Sequence, residues 1–302
     1  MPRHRKLAML VLSACFIAAT SALTFAQDGS ANGKCTFQEL NIPAPGGSNP
    51  NPVALNDKGA MVGDIRTSPQ HIAGFLLSGS KFTHFMFPGS ADTLVHDINN
   101  FGVIVGSFDT AGGNGQRAFM VHSGGFHEIK IPGFPNAPAI ATGVNDQGDI
   151  TGQFNGNGSD LGFLLHKGKL TILSFPGAKG GTFPTGINNF GEIVGSYLLF
   201  SNDIRHGFIW KDGVFANLRT PSGGNVNPFQ ISNSGDIVGD FVDANFQGHG
   251  FSLEDKGRFT QIDVPNTLAS GVIAVNSSDQ VLAAADITSG TILVKGSCSS
   301  AF

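Results

Sequence analysis

The sequence predicts an all-β fold, a six-bladed β-propeller, from three observations. A unit of about 44 residues recurs six times along the chain. Each copy contains four short apolar segments separated by Gly, Pro and Asn, without helical periodicity. The copies are out of phase with the chain ends, so that one copy is divided between the two termini. Four-stranded units of about 40–50 residues are typical of propeller blades.

The repeat is recognised by an apolar residue, Asn, two variable residues and Gly, followed by an apolar pair and a second Gly. Its Asn position is occupied by Asn56, Asn99, Asn145, Asn188, Ser232 and Asn276, at spacings of 43, 46, 43, 44 and 44 residues. The first glycines are Gly59, Gly102, Gly148, Gly191 and Gly235. The sixth copy lacks both glycines and has Asp279 and Ala283 instead. Asn and Gly at this spacing predict a tight hairpin turn, in which Asn bonds to nearby backbone and Gly adopts a positive φ.

Four strands, a to d, are predicted in each unit. Strand a ends at the Asn, strand b surrounds the second Gly, and strand c carries a Phe such as Phe75. Strand d begins at a residue such as Phe82 and ends at a Pro such as Pro88. Apolar residues within strand d fall at i, i+3 and i+5, as in 259–264, which departs from the strand period of two. We therefore expect a bulge or a late start in strand d.

The chain ends are expected to complete one blade together. Residues 37–43 match strand d, and residues 291–296 match strand c. Cys35 and Cys298 lie where the c–d hairpin of that blade would be, so the sequence predicts a disulfide that takes its place. Closure of the ring would leave only short protected edges. The alternative, a β-solenoid, would leave the two cysteines too far apart.

The N-terminus predicts export. A basic segment, residues 3–6, precedes an apolar run to Ala22 and a cleavage site after Ala26. We expect a signal peptide at 1–26, a short lead at 27–33, one propeller domain at 34–298 and a tail at 299–302. The alternatives are a single membrane anchor and lipoprotein processing at Cys15. The expected location is extracellular or periplasmic, where a leftover cysteine pair forms a disulfide.

Charge and composition exclude several classes of function. Charged residues make up 13% of the chain, and cleavage after Ala26 would leave 15 basic against 22 acidic residues, a formal charge of −7. That charge opposes binding to nucleic acids or anionic lipids. The chain has 26 Phe but one Trp and one Tyr. We interpret the repeated Phe, including Phe101 and Phe190 in the a–b turns, as packing between units, and a multivalent lectin is disfavoured because sugar platforms commonly use Trp or Tyr.

The repeat also resembles a known family. Asn-x-x-Gly-x-Ile-Val-Gly, followed by His206-Gly207-Phe208, His249-Gly250-Phe251 or Arg117-Ala118-Phe119, is similar to the bacterial extracellular repeat family named HAF after its His-Ala-Phe tripeptide. The resemblance covers nearly all of the chain after the predicted signal peptide, and it implies a secreted bacterial repeat protein. It implies no catalytic residues. The departures are the Gly-Phe tripeptides and the degenerate sixth copy.

Few residues point to chemistry. His206 and His249 share one position before Gly-Phe, and His122 and His166 share the end of strand c, which favours a repeated structural bond over one ligand set. Two loops, 109–114 and 155–160, have oxygen-bearing side chains that suit Ca²⁺ but lack the spacing of a calcium loop, so we interpret them as hairpin loops and predict no cofactor. No nucleophile elbow or zinc motif is present.

We interpret the chain as a non-enzymatic binding module that presents loops on one face of a monomeric propeller. Its partner would be an extracellular protein or polymer, not nucleic acid, and no membrane segment would remain after processing. The first alternative is a secreted hydrolase, lyase or lactonase with residues such as Asp92, His96 and Asp97 at the channel. The second alternative is a structural surface or matrix protein.

Overall fold

Six antiparallel four-stranded sheets are arranged as the blades of a β-propeller in the computed structural model. It describes residues 24–26, 35–42, 44, 50–110, 115–200, 204–254 and 257–298. Every regular element in these ranges is a β-strand, and they contain no helix that could cross a membrane. The predicted signal peptide, lead and tail lie outside the described residues, apart from Thr24–Ala26.

Blades 1 to 5 each use four consecutive strands. Blade 1 contains β3 (Asn51–Leu55), β4 (Met61–Ser68), β5 (His71–Ser78) and β6 (Lys81–Phe85). Blade 2 contains β7 (Ser90–Ile98), β8 (Ile104–Thr110), β9 (Gln116–His122) and β10 (Gly125–Glu128). Blade 3 contains β11 (Ala139–Val144), β12 (Ile150–Gly156), β13 (Ser159–His166) and β14 (Lys169–Leu173). Blade 4 contains β15 (Gly181–Ile187), β16 (Ile193–Leu198), β17 (His206–Lys211) and β18 (Val214–Leu218). Blade 5 contains β19 (Val226–Ile231), β20 (Ile237–Val242), β21 (Gly248–Leu253) and β22 (Phe259–Ile262).

Blade 6 joins the two ends of the chain, as predicted. Its strands are β23 (Ala269–Val275), β24 (Gln280–Ile287), β25 (Gly290–Cys298) and β2 (Cys35–Glu39). Cys35 lies opposite Cys298 in the β2–β25 ladder, and the two sulfurs are bonded at 2.08 Å. The predicted disulfide is therefore confirmed. A further strand, β1 (Thr24–Ala26), pairs with β2 and was not expected, because it falls within the predicted signal peptide.

The core consists of six hydrophobic clusters, one at each interface between adjacent blades. The cluster between blades 6 and 1 joins Leu55 and Met61 to Ala274 and Leu282, which closes the ring. The Phe of strand c is fully buried in each of blades 1 to 5. These residues are Phe75, Phe119, Phe163, Phe208 and Phe251. The prediction that repeated Phe residues pack between units is confirmed at this position.

The predicted irregularity in strand d is wrong: the fourth strands of blades 1, 3, 4 and 5 pair in continuous register and simply end near the second apolar residue. Every blade instead has a register shift in strand a, between the residues four and two before the repeat Asn position. The second repeat glycine lies opposite this shift. A Cβ at Gly106, for example, would overlap the backbone oxygen of Leu94.

Strand direction gives the ring two distinct faces. Strand a begins at one face and ends at the other, so the a–b and c–d turns share one face, here called the a–b face. The b–c loops and the connections from strand d to the next blade share the opposite, b–c face. The c–d turns of blades 2 to 4 contain two successive residues with positive φ, such as Ser123 and Gly124, which suits tight hairpins.

Candidate functional site

The repeat Asn side chains form a ring of hydrogen bonds around the central channel. In blade 2, Asn99 Oδ1 accepts the backbone N–H groups of Phe101 and Val103 at 3.0 and 2.9 Å, which fixes the a–b turn. Its Nδ2 donates to the backbone oxygen of Asn145 in blade 3 at 2.9 Å. The same link between blades is made by Asn56, Asn145, Asn188 and Asn276. One side chain therefore shapes its own turn and binds the next blade.

The ring is broken between blades 5 and 6. Ser232 occupies the Asn position of blade 5, and in the described part of the chain its hydroxyl makes no bond to blade 6. Ser232 Oγ instead contacts Ser234 Oγ at 2.7 Å and accepts the backbone N–H of Asp236 at 3.1 Å. The serine retains the turn but not the link to the neighbouring blade.

A second polar ring closes the channel at the a–b face. It is formed by the residues that follow the Asn position: Asp57, Asn100, Asp146, Asn189, Asn233 and Ser277. Asn100 Nδ2 donates to Asp57 Oδ2 at 2.8 Å and to Asp146 Oδ2 at 3.0 Å. Burial opposes ionisation of Asp57, but hydrogen bonds from Ser277, Asn100 and Asn233 outweigh it and lower the pKa of Asp57. The carboxylate is thus held in its charged form by amide and backbone donors.

Asp97 and Gln230 meet across the channel above these rings. They lie in opposite blades, two residues before the Asn position, where the other blades have Ala or Gly. Gln230 Nε2 lies 3.5 Å from Asp97 Oδ1, and Gln230 Oε1 accepts the N–H of Val275 at 2.8 Å. Burial and the nearby Asp146 raise the pKa of Asp97 to about 7, although hydrogen bonds to Asp97 oppose this.

The space between these polar layers is small. Asp57, Asn100, Asp146, Asp97 and Gln230 are among the residues that line a cavity of ≈ 50 Å³. Such a volume holds about three water molecules and is too small for an organic substrate. The polar groups at this end of the channel therefore stabilise the ring rather than bind a ligand of that size.

The three candidate hydrolase residues, Asp92, His96 and Asp97, each contact different partners. Asp97 Oδ1 and Oδ2 accept the backbone N–H groups of Ile98 and Val144 at 2.8 and 2.9 Å. His96 Nε2 lies 3.4 Å from Ser107 Oγ, and burial lowers the pKa of His96 to about 4. Asp92 Oδ1 accepts the N–H of Ile72 in blade 1 at 2.7 Å. Each of the three side chains thus has a local bonding partner.

Three of the four repeated histidines, His166, His206 and His249, bond to side chains near their own strands. His206 Nδ1 lies 2.9 Å from Asn225 Oδ1, and His249 Nδ1 lies 2.9 Å from Asp263 Oδ1. His166 Nδ1 lies 2.7 Å from Asp149 Oδ1. These are separate local pairs. No group of three or more His, Cys, Asp or Glu side chains suited to a metal ion occurs among the residues that the structure describes.

One of the two loops considered for Ca²⁺ forms a hydrogen-bonded hairpin tip, and the other is described only in part. Residues 155–160 form the tip of the β12–β13 hairpin, where Asn155 Nδ2 donates to Asp160 Oδ1 at 3.1 Å and Asn155 Oδ1 accepts the N–H of Gly158. These bonds explain the composition of the segment as a hairpin. Of the other loop, residues 111–114 lie outside the described residues.

Large apolar side chains are exposed on loops of both faces. Phe101 and Phe190 on the a–b face are 71% and 68% exposed, so the prediction that they pack between units is wrong. Their position in the turn, two residues after the Asn, leaves them largely exposed, and Lys58 Nζ of blade 1 lies 5.9 Å from the centre of the Phe101 ring. On the b–c face, exposed apolar residues occur on loops next to blades 4 to 6: Phe200, Ile204, Val242, Phe246 and Leu268. In contrast, Trp210 and Tyr197 are buried.

The repeat pattern did not predict this second set of residues. Phe200, Val242, Phe246 and Leu268 interrupt no repeat motif, because the b–c and d–a segments differ in length and composition between copies. The signal that could have found them is a bulky apolar residue in a Gly/Asn/Asp-rich loop, such as Phe246 in Asp-Ala-Asn-Phe-Gln.

Comparisons with known proteins agree with the fold. No protein-family model matches the chain, and no curated protein does so either. The chain is similar in structure to the β-propeller domain of the Trilobed protease from Pyrococcus furiosus, with a TM-score of 0.54 and 7% identity over 92% of this chain and 94% of that one. That domain is described as having an open velcro topology, whereas β2 and β25 close the ring here.

TolB from Acinetobacter baumannii is also similar, with a TM-score of 0.54 and 11% identity over 79% of this chain. The chain spans 64% of the length of that TolB chain. The lectin SapL1 overlaps with a TM-score of 0.48 at 10% identity, covering 84% of this chain and 96% of the lectin, which is too little to bear on function. At these identities the comparisons establish the propeller fold alone.

Proposed function

We propose that the chain is a secreted, non-enzymatic binding module that contacts its partner through loops on the b–c face of the propeller. The observation that carries this proposal is the set of exposed apolar side chains on the loops next to blades 4 to 6, which includes Phe200, Val242, Phe246 and Leu268. Large apolar groups that gather on one part of a surface mark sites of association, because water disfavours their exposure.

The engagement of the channel residues also supports binding over catalysis. Asp97 accepts two backbone N–H groups and contacts Gln230, so its oxygens already stabilise the ring. A hydrolase would need a carboxylate or His free to act on a substrate beside it. The propeller fold itself does not separate the two functions, because one fold supports many activities.

The proposed location is extracellular or periplasmic. The Cys35–Cys298 disulfide is compatible with an oxidising compartment, where such bonds persist. The partner we propose is accordingly an extracellular protein or polymer, and membership of the HAF repeat family would agree with this location.

The experiment begins with the oxidised chain immobilised and exposed to fractionated extracellular protein and polysaccharide from its source organism. Each retained component is then purified and its affinity measured for the wild type and for a variant with Phe200→Ser and Phe246→Ser. We expect the affinity for the true partner to fall at least tenfold in this variant, because exposed aromatic anchors dominate binding energy. The matched control, Phe101→Ser and Phe190→Ser on the a–b face, should retain wild-type affinity.

Two results would contradict the proposal. Turnover of ester, lactone or glycoside substrates that disappears in Asp97→Asn would establish the hydrolase alternative. Assembly of the pure chain into large oligomers as its concentration rises would favour the matrix protein. Sedimentation velocity over a hundredfold range of concentration measures this directly.

A further inference from the structure

Phe246 combines two unfavourable features in one residue. Its side chain is 88% exposed, the largest exposure among the bulky apolar residues that the structure describes. Its φ is +63°, in the left-handed region that suits Gly or Asn. The other non-Gly residues with positive φ in the described ranges are all polar: Ser123, Asn157, Lys167, Asp212, Asn266 and Asp279. Both the exposure of the ring and the positive φ are unfavourable for Phe. A Phe that is kept at this position despite both costs indicates a functional role rather than a role in folding.

The loop that carries Phe246 is held in one conformation. Asp243 Oδ1 accepts the backbone N–H groups of Asn245 and Gln247, each at 2.8 Å. The backbone closes a turn, with bonds from Phe246 N to Asp243 O at 3.1 Å and from Asp243 N to Gln247 O at 2.9 Å. The ring is therefore presented on a fixed turn, which reduces the conformational entropy that binding would cost.

Val242 and Leu268 extend the apolar surface around this turn. Val242 ends β20 directly before the turn and is exposed. Leu268 is exposed just before β23, and its N–H bonds to the backbone of Asp286 at 2.6 Å. The start of β21 abuts the start of β23, since a Cβ at Gly248 would lie 3.4 Å from the Cβ of Ala269. Val242, Phe246 and Leu268 are called the blade-5 patch below.

Acidic residues border the blade-5 patch. Asp243 begins the turn, and His249 lies between Asp243 and Asp263, at 3.6 and 2.9 Å. The hydrogen bond from Gln247, with others from Asn245 and His249, holds the pKa of Asp243 below its ordinary value, so this residue is charged at neutral pH. Asp286 lies beside Leu268. The apolar centre thus has a negatively charged rim.

We propose that the blade-5 patch binds an apolar segment of a protein flanked by Lys or Arg residues. This rests on the proposed binding function and names the partner chemistry. The apolar side chains of that segment cover Phe246, Val242 and Leu268, and its cations face Asp243, Asp263 and Asp286. Charge complementarity at the rim of an apolar contact selects the partner and its orientation. The same rim disfavours an anionic membrane or a polyanion.

The test uses two fluorescein-labelled peptides of 12 residues with the same apolar centre of Phe and Leu. One has Lys and Arg flanks, the other Glu flanks, and binding to the oxidised full chain is followed by fluorescence anisotropy. We expect the basic peptide to bind at least tenfold more tightly than the acidic one, with the difference shrinking at 1 M salt because screening weakens exposed charges.

Variants assign the binding to the patch. Phe246→Asn suits the left-handed backbone and should lose at least tenfold in affinity for the basic peptide, whereas Phe101→Asn on the opposite face should not. Phe246→Gly should lose the same affinity while raising the melting temperature by roughly 2 °C, because strain is relieved. If Phe246 is strained because it serves binding, its replacement by Gly should stabilise the fold and weaken binding.

Each contrary result has a distinct meaning. Equal affinity for the two peptides, or wild-type affinity in Phe246→Asn, would overturn the inference. Binding of the basic peptide that is lost in Phe101→Asn would overturn it and would also contradict the b–c face named in the proposed function. A dimer of the wild type that dissociates in Phe246→Asn would identify a second copy as the occupant and would also overturn the stated partner chemistry. Hydrolysis that depends on Asp97 would instead contradict the proposed function.

Discussion

Replacement of Asn99 by Ala removes both functions of one repeat Asn at once. The buried side chain accepts two N–H groups of its own turn and donates to the backbone oxygen of Asn145 in the next blade. Each buried hydrogen bond contributes about 1 kcal/mol net, and unpaired partners cost more, so we expect the free energy of unfolding to fall by about 3 kcal/mol.

Two further substitutions separate the turn from the link between blades. Asn99→Ser imitates blade 5, where Ser232 retains a turn bond without the link, and should cost about 2 kcal/mol because part of the turn bonding survives. Asn245→Ala, in an exposed loop, is the matched control and should change stability by less than about 0.5 kcal/mol.

The assay is equilibrium unfolding of the oxidised chain in urea, followed by the fluorescence of Trp210. This residue is the only Trp in the sequence and is buried, so its emission reports loss of the native packing. The reasoning would be refuted if Asn99→Ala and Asn245→Ala had the same stability. It would also be refuted if Asn99→Ser were less stable than Asn99→Ala.

Three further substitutions test other parts of the structure. Ser232→Asn should complete the broken ring and raise the free energy of unfolding by about 1 kcal/mol in the same assay. Cys298→Ser should lower the melting temperature in calorimetry, since the disulfide closes a loop whose entropy corresponds to roughly 5 kcal/mol. Burial raises the pKa of Asp97 to about 7 in the folded state, which favours the neutral carboxyl group there. The neutral group therefore stabilises the fold fully at pH values below the unfolded pKa, and this stabilisation is lost as the pH rises through about 7. Asp97→Asn should therefore gain stability relative to wild type as the pH is raised from 5 to 8, measured by urea unfolding at each pH.

Much of the fold could be predicted from the sequence because each repeat contains residues that determine its turns through short-range interactions. Asn99 and Gly102 specify the a–b turn by short-range hydrogen bonding and backbone conformation. The division of blade 6 follows from the phase of the repeat, and the Cys35–Cys298 bond follows from that division. These features depend on the order of residues along the chain.

Features that depend on the three-dimensional arrangement could not be predicted. The link from Asn99 to Asn145 spans 46 residues and arises only when neighbouring strands a converge on the channel. Asp97 suggested catalysis by its residue type, yet the ring places it against Gln230 in the opposite blade. The repetition of Phe predicted that Phe101 packs in the core, but its position in a turn exposes it.

Peptide mapping of the non-reduced chain tests ring closure, the central claim, most directly. Proteolysis followed by mass spectrometry should yield one linked pair of peptides that contains Cys35 and Cys298, two hydrogens lighter than the reduced pair. Recovery of both cysteines as free thiols from the untreated protein would contradict a blade that is built jointly by the two ends of the chain.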